Sequence, residues 1–143
     1  MTEQWGTIVL QWAFLHRIIH SANFNMSDTS TTVGQLREMV RAFVDERHWQ
    51  EFHNPKNLCM AMSIEVAELM EHFQWLTLEE ARALPDDPQA LAAVGEELAD
   101  VVCYAMALAN ELKLDIATTM QAKMVKNIQK YPAPEFQGKY KKN

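Results

Sequence analysis

Glycine and proline are scarce, at four and five among 143 residues. A sheet with many tight turns needs more of both, so a turn-rich β fold is excluded. The many Leu, Ala, Met, Glu and Gln residues point instead to an all-α chain. Cysteine is scarcer still. Cys59 and Cys103 lie in separate apolar helical stretches without paired spacing, which speaks against a disulfide and fits buried free thiols in a reducing, cytoplasmic setting. No apolar run is long enough to span a bilayer. The one near the N-terminus is short, lacks a basic leader and has no small-residue cleavage site, so it reads as neither anchor nor signal. Positive charge is in deficit, with 13 Lys and Arg against 19 Asp and Glu, a net charge of −6 and a pI near 5.3. That balance argues against nucleic-acid polymers and anionic membranes as partners.

What is present is 48% hydrophobic residues in a 16.5 kDa chain, enough for one domain with its own core. Residues 1–25 form an N-terminal extension with two open readings. Ile8, Trp12, Leu15 and Ile19 are spaced as on one face of an amphipathic helix, or the natural start is Met26, whose polar MSDTSTT resembles an ordinary N-terminus. Residues 26–143 are expected to form a single helical domain with a mobile basic tail from about residue 133.

Four long helices are expected in it. Thr32 caps the first, whose stripe of Leu36, Met39, Val40, Phe43 and Val44 runs up to Trp49. The HNP turn ends that segment, and Pro55 opens the second helix, which continues to about Trp75. Thr77 and Glu80 form a capping-box pattern before a short helix broken by PDDP. Asp87 and Pro88 open a long helix to about Leu112, and Asp115 caps the last, which Pro132 and Pro134 stop after Lys130.

Two of these helices carry acids at the edge of an apolar stripe. At 100° per residue, Glu65, Glu68, His72 and Trp75 fall within an arc of roughly 80°, beside Leu58, Met62, Val66, Leu69 and Phe73. Glu97, Asp100 and Tyr104 fall within about 60°, beside Val94, Leu98, Val101, Ala105 and Leu108. Carboxylates half removed from water need cations or protons nearby. A single E-x-x-E is common on solvated helices, but two such pairs facing each other in an antiparallel bundle make a site for a hard divalent cation. Oxygen-only ligands select Mg²⁺, with Mn²⁺ as a substitute, over zinc. A di-iron bundle needs Glu-x-x-His, which is absent. Trp49 and Trp75 are core or interface residues in most proteins, yet beside an acidic metal site they become platforms for a nucleobase. His53 is a loop hydrogen-bonding residue or a substrate contact, and His72 a carboxylate's partner or a half-buried side chain. Lys123, Lys126, Asn127 and Lys130 gather near a helix C-terminus, where the helix dipole alone favours cations, and where far phosphates could be held.

These residues also carry a family resemblance. EVAE (Glu65 to Glu68), ELAD (Glu97 to Asp100) and KMVKNIQKYP from Lys123, preceded by WQEFHNPKNL from Trp49 and by FQW to Trp75, resemble the MazG-like all-α nucleotide pyrophosphohydrolases, in particular the dCTP pyrophosphatase branch. The likeness covers roughly residues 33–132. It implies that Glu65, Glu68, Glu97 and Asp100 bind Mg²⁺. Trp49, His53, Trp75 and Tyr104 would surround the nucleoside, and Lys123, Asn127, Lys130 and Tyr131 would belong to the phosphate-binding segment. The implied reaction cleaves a nucleoside triphosphate, dCTP or a related or modified pyrimidine nucleotide, to monophosphate and pyrophosphate. A homodimer or homotetramer is implied with it. No covalent nucleophile stands out, so direct attack by water is expected, with Glu68 handling the water. The chain departs from the pattern at Ala67, where many relatives have Gly, at Lys130, where Arg is common, and at Val40, where animal relatives turn a His toward the base. Two other readings remain: a non-enzymatic helical interaction protein with its tryptophans at a subunit interface, and a phosphoribosyl-ATP pyrophosphohydrolase-like activity.

Overall fold

Helix starts follow the capping chemistry closely. The computed structural model describes residues 26–139, and every regular element among them is helical. Thr32 accepts from Gln35 N at 3.2 Å while the Gln35 side chain accepts from Thr32 N at 2.7 Å, and this reciprocal box opens α1, Val33–Glu46. The helix stops three residues short of Trp49. Trp49 N donates to Val44 O and His48 N to Asp45 O, each at 3.1 Å, with His48 in the left-handed region at φ 54°. This is a Schellman ending, although the left-handed residue is not the usual glycine. Asn54 accepts from Asn57 N at 3.0 Å, and Pro55 supplies the first helical residue of α2, Pro55–Glu71.

The second helix does not reach Trp75, as expected from its apolar register, but ends at Glu71. Phe73 N and Gln74 N both turn to Met70 O at 3.0 Å, so the chain tightens into turns and Trp75 leaves the helix face. Thr77 and Glu80 form the anticipated box at the start of α3, Leu78–Ala83, followed by a 3₁₀ turn, Leu84–Asp86. Asp87 accepts from Gln89 N and Ala90 N, and Pro88 opens α4, Pro88–Glu111. Asp115 accepts from Thr118 N at 2.8 Å to start α5, Ile116–Lys130, and one further helical turn, α6, spans Ala133–Phe136 where a loose tail was expected.

By internal contacts the chain divides between Leu112 and Lys113 into two compact units. The first is organised on α4, against which both α2 and α1 pack. The α1–α4 pair is antiparallel. Arg37, early in α1, bonds Asn110, late in α4, while Glu65 feels the charge of Asp100 and Glu97, which precede Tyr104 on α4. Among the described residues, buried apolar positions are few and mostly small: Ala42, Ala107 and Ala109, with Leu58 at 2% exposure. Burying one leucine contributes about 2–3 kcal/mol, and the alanines let helix backbones approach. Many large apolar side chains stay open, among them Met60, Ile64, Met70, Leu91, Leu98 and Val102. Cys59 is exposed rather than buried and Cys103 half-buried, and both thiols are free. The second unit holds α5 and α6, where Tyr131 meets Phe136 edge-on at 5.3 Å. No helix among the described residues is long and apolar enough to cross a membrane. The expected N-terminal extension, residues 1–25, lies outside the described residues.

Candidate active site

Three-residue spacing places Glu65 and Glu68 on one side of α2, and the packing of α4 against α2 brings Glu97 to them. One carboxylate oxygen from each lies within 4.8 Å of the others. Glu65 and Glu97 are half-buried and Glu68 exposed. Burial pushes the Glu65 carboxyl above its ordinary range, and the charges of Glu68, Asp100 and Glu97 push it the same way. Such a group of acids is held together against its own repulsion. A hard cation relieves that repulsion, and oxygens gathered within 4.8 Å of one another are near enough to share one, since bonds of about 2.1 Å to Mg²⁺ put adjacent ligands about 3.0 Å and opposite ligands about 4.2 Å apart. The donor set, all carboxylate oxygen, therefore fits Mg²⁺ or Mn²⁺. Asp100, one turn beyond Glu97, extends the acidic field to Glu65, Cys103 and Tyr104.

Asp100 also begins the wall of a cavity of about 650 Å³. From α4 the wall continues through Cys103, Tyr104 and Ala107; from α1 it receives Met39, Val40, Phe43 and Val44; Trp49 and His53 join it from the connecting segment, and Met26 from before α1. The apolar stripe expected to fill a core thus lines a hollow. Here the aromatic side chains form a ladder. The Arg47 guanidinium lies 3.7 Å from the Phe43 ring centre, Phe43 meets Trp49 edge-on at 5.9 Å, and Trp49 stacks on His53 at 6.3 Å with planes 20° apart. His53 Nδ1 lies 3.0 Å from Trp49 O. Because a carbonyl only accepts, Nδ1 carries the proton, which leaves Nε2 of the neutral ring as an acceptor. Burial pushes the Tyr104 hydroxyl above its usual range, with Glu65 and Asp100 adding to it, so the phenol remains a donor; burial and Asp100 likewise keep the Cys103 thiol protonated.

Of the residues singled out in the sequence, Glu65, Glu68 and Glu97 come together in one acidic group, whereas Asp100 lies outside that set, acts on Glu65 through its charge and lines the adjoining cavity with Trp49, His53 and Tyr104. Trp75 does not line it and is 86% exposed, because α2 ends before it. Lys123, Asn127 and Lys130 follow one another at helical spacing on α5 of the second unit, where Asn127 Nδ2 lies 3.8 Å from Met124 Sδ and Lys130 Nζ lies 5.1 Å from the centre of the Tyr131 ring. Met39, Phe43 and Cys103 were read as structural, while Val40 was also marked, by the family resemblance, as a position facing the base; what marks them as lining is their sharing one cavity with Tyr104 and Trp49, which periodicity alone does not reveal.

Comparison with known proteins points the same way as this geometry. Residues 60–142 match a family described as MazG-like. The chain is 40% identical over 102 residues to dCTP pyrophosphatase 1 of Homo sapiens and 39% identical over 101 residues to that of Bos taurus, in each case over 71% of this chain and 60% of the relative. It thus spans about 60% of the length of the curated relatives it matches. A solved pyrophosphatase structure from Archaeoglobus fulgidus superposes with a TM-score of 0.65 at 36% identity, covering 76% of this chain and 99% of that one.

Proposed function

This chain belongs to the MazG-like family, and from that premise we propose that it is a metal-dependent nucleoside triphosphate pyrophosphohydrolase, acting on dCTP or a related pyrimidine nucleotide. The observation that carries the reading is the adjacency of the Glu65, Glu68 and Glu97 carboxylates to an aromatic cavity that begins at Asp100. The acids would hold Mg²⁺ or Mn²⁺, which when bound supplies charge neutralisation for a triphosphate and polarises its phosphoryl oxygens. The cavity takes the nucleoside. Trp49 offers a ring face for stacking, His53 Nε2 an acceptor for the 4-amino group of cytosine, and Tyr104 a donor for a base or sugar oxygen. Glu68, the exposed member of the acidic group, orients water and takes its proton as that water attacks the α-phosphorus. Pyrophosphate leaves as one piece. Lys123, Asn127, Lys130 and Tyr131 make up the segment for the outer phosphates, as the relatives' pattern suggests.

The same reading makes the protein a homodimer or homotetramer of a cytoplasmic, small-molecule enzyme. What supports assembly is the number of large apolar side chains left open, including Trp75, Leu76 and Leu78 in sequence proximity at 86%, 39% and 72% exposure. The test is pyrophosphate release from a nucleotide panel in ¹⁸O-labelled water. Equal amounts of labelled monophosphate and unlabelled pyrophosphate are expected, dependent on Mg²⁺ or Mn²⁺ and not restored by Ca²⁺, whose bonds are longer and geometry looser. Label in pyrophosphate, or stepwise orthophosphate, would overturn the reading.

A further inference from the structure

The two long walls of the cavity are joined at one end by a polar clamp. Arg37 Nε donates to Asn110 Oδ1 at 2.9 Å, Arg37 Nη2 donates to Ala109 O at 3.3 Å, and Asn110 Nδ2 donates back to Arg37 O at 2.9 Å. These bonds are half-buried and join residues 72 or 73 apart in sequence. On α1, Arg37 is one turn from Val40 and two from Val44. On α4, Asn110 is one turn from Ala107 and two from Cys103. The clamp is therefore the polar end of the two stripes that face each other across the cavity.

We propose that the Arg37–Asn110 clamp is a positioning element that sets the separation of the cavity walls and so tunes nucleoside affinity without touching the nucleoside. Apolar side chains pack without direction, and with a hollow between α1 and α4 they leave the helices free to slide or spread. A forked guanidinium that donates to a side-chain and a main-chain oxygen, while the main-chain carbonyl of the same arginine accepts a bond in return, fixes both spacing and register. The acidic group belongs to the α2–α4 pair, three turns or so along α4 from the clamp. Loosening the clamp thus changes binding and spares the chemical step.

This proposal rests on the nucleotide-hydrolysing reading, and the test separates the two. Asn110→Ala, Arg37→Met, their double variant and Asn110→Asp are assayed for KM and kcat, and for calorimetric binding of dCMP, with melting curves to verify folding. Asn110→Ala is expected to raise KM and the dCMP Kd about tenfold while kcat stays within twofold. The double variant should lose no more than either single one, because the clamp acts as a unit. Asn110→Asp, which keeps acceptors for Arg37 but loses the amide donor to Arg37 O, should fall between the unmodified protein and Asn110→Ala. Unchanged KM and Kd in a folded Asn110→Ala variant, or a fall in kcat alone, would overturn the clamp proposal and leave the activity standing. An unmodified protein that neither releases pyrophosphate nor binds dCMP would overturn the functional reading and the clamp with it.

Discussion

Replacing Glu65 by glutamine should make the metal-free protein more stable while disabling it. Unit charges 4.8 Å apart, the span that encloses the Glu65, Glu68 and Glu97 oxygens, repel in water by about 0.9 kcal/mol, and removing one member of three deletes two such pairs, about 1.7 kcal/mol in all. Physiological salt and partial exposure reduce this to about 1 kcal/mol. For a chain of this size the gain corresponds to a melting temperature about 3 °C higher in chelator. Added Mg²⁺ should reverse the ranking. At a hundred times its Kd the ion stabilises the unmodified protein by about 2.7 kcal/mol, roughly 8 °C, and should do far less for the variant. The sign with pH follows from the raised Glu65 pKa. A folded-state pKa above the ordinary 4.5 adds stability that is fully present below that value and disappears as pH rises through the folded pKa, so the variant's advantage should shrink as pH falls through that window. Pyrophosphate release should drop at least about a hundredfold. Differential scanning fluorimetry in chelator and in Mg²⁺ reads the stability terms. A lower melting temperature in chelator, or an undiminished response to Mg²⁺, would refute the idea that Glu65 is a strained ligand in waiting.

The other predictions concern the aromatic ladder and the backbone. Trp49→Ala should weaken dCMP binding, measured by calorimetry, by about 1–3 kcal/mol through lost stacking, whereas Trp75→Ala should chiefly lower the molar mass seen by light scattering; equal losses of affinity with unchanged mass would show that both rings serve the nucleoside directly. His48→Gly relieves a left-handed residue at φ 54° and should raise the melting temperature by about 3 °C, corresponding to about 1 kcal/mol, with no gain meaning that the imidazole makes up the difference. Removing residues 1–25 should leave turnover intact, since Thr32 caps α1 with Gln35 alone, and lost activity in the truncated protein would count against that.

Local chemistry is what sequence displays best. Thr32, Thr77, Asp87 and Asp115 were legible as helix starts because each cap acts on backbone groups two or three residues away. The paired acids were legible for a related reason, since three-residue spacing decides the face of a helix wherever that helix packs. Ends were less so. A Schellman turn at His48 and the tightening after Met70 depend on what the chain must do next, and neither residue is glycine or proline. The cavity was hidden because Met39 and Phe43 obey the same periodicity whether they fill a core or line a hollow, and only the family resemblance singled out Val40. Arg37 and Asn110 were hidden because a pairing across 73 residues leaves no trace in either neighbourhood.

One helix serves as the ruler for the whole site. Glu97, Asp100, Tyr104, Ala107 and Asn110 all mark positions along α4 within its 24 residues, so the distance from chemistry to nucleoside to clamp is measured in helical turns. A single residue inserted after Asp100 would rotate everything beyond it by about 100° and advance it about 1.5 Å. Tyr104 and Ala107 would turn away from α1 while Glu97 kept its place opposite Glu65. The segment from Leu76 to Asp87 carries no such constraint: it supplies none of the acids or lining residues. Length changes accumulated among homologous chains are accordingly expected to collect in that loop and to be excluded from the last half of α4.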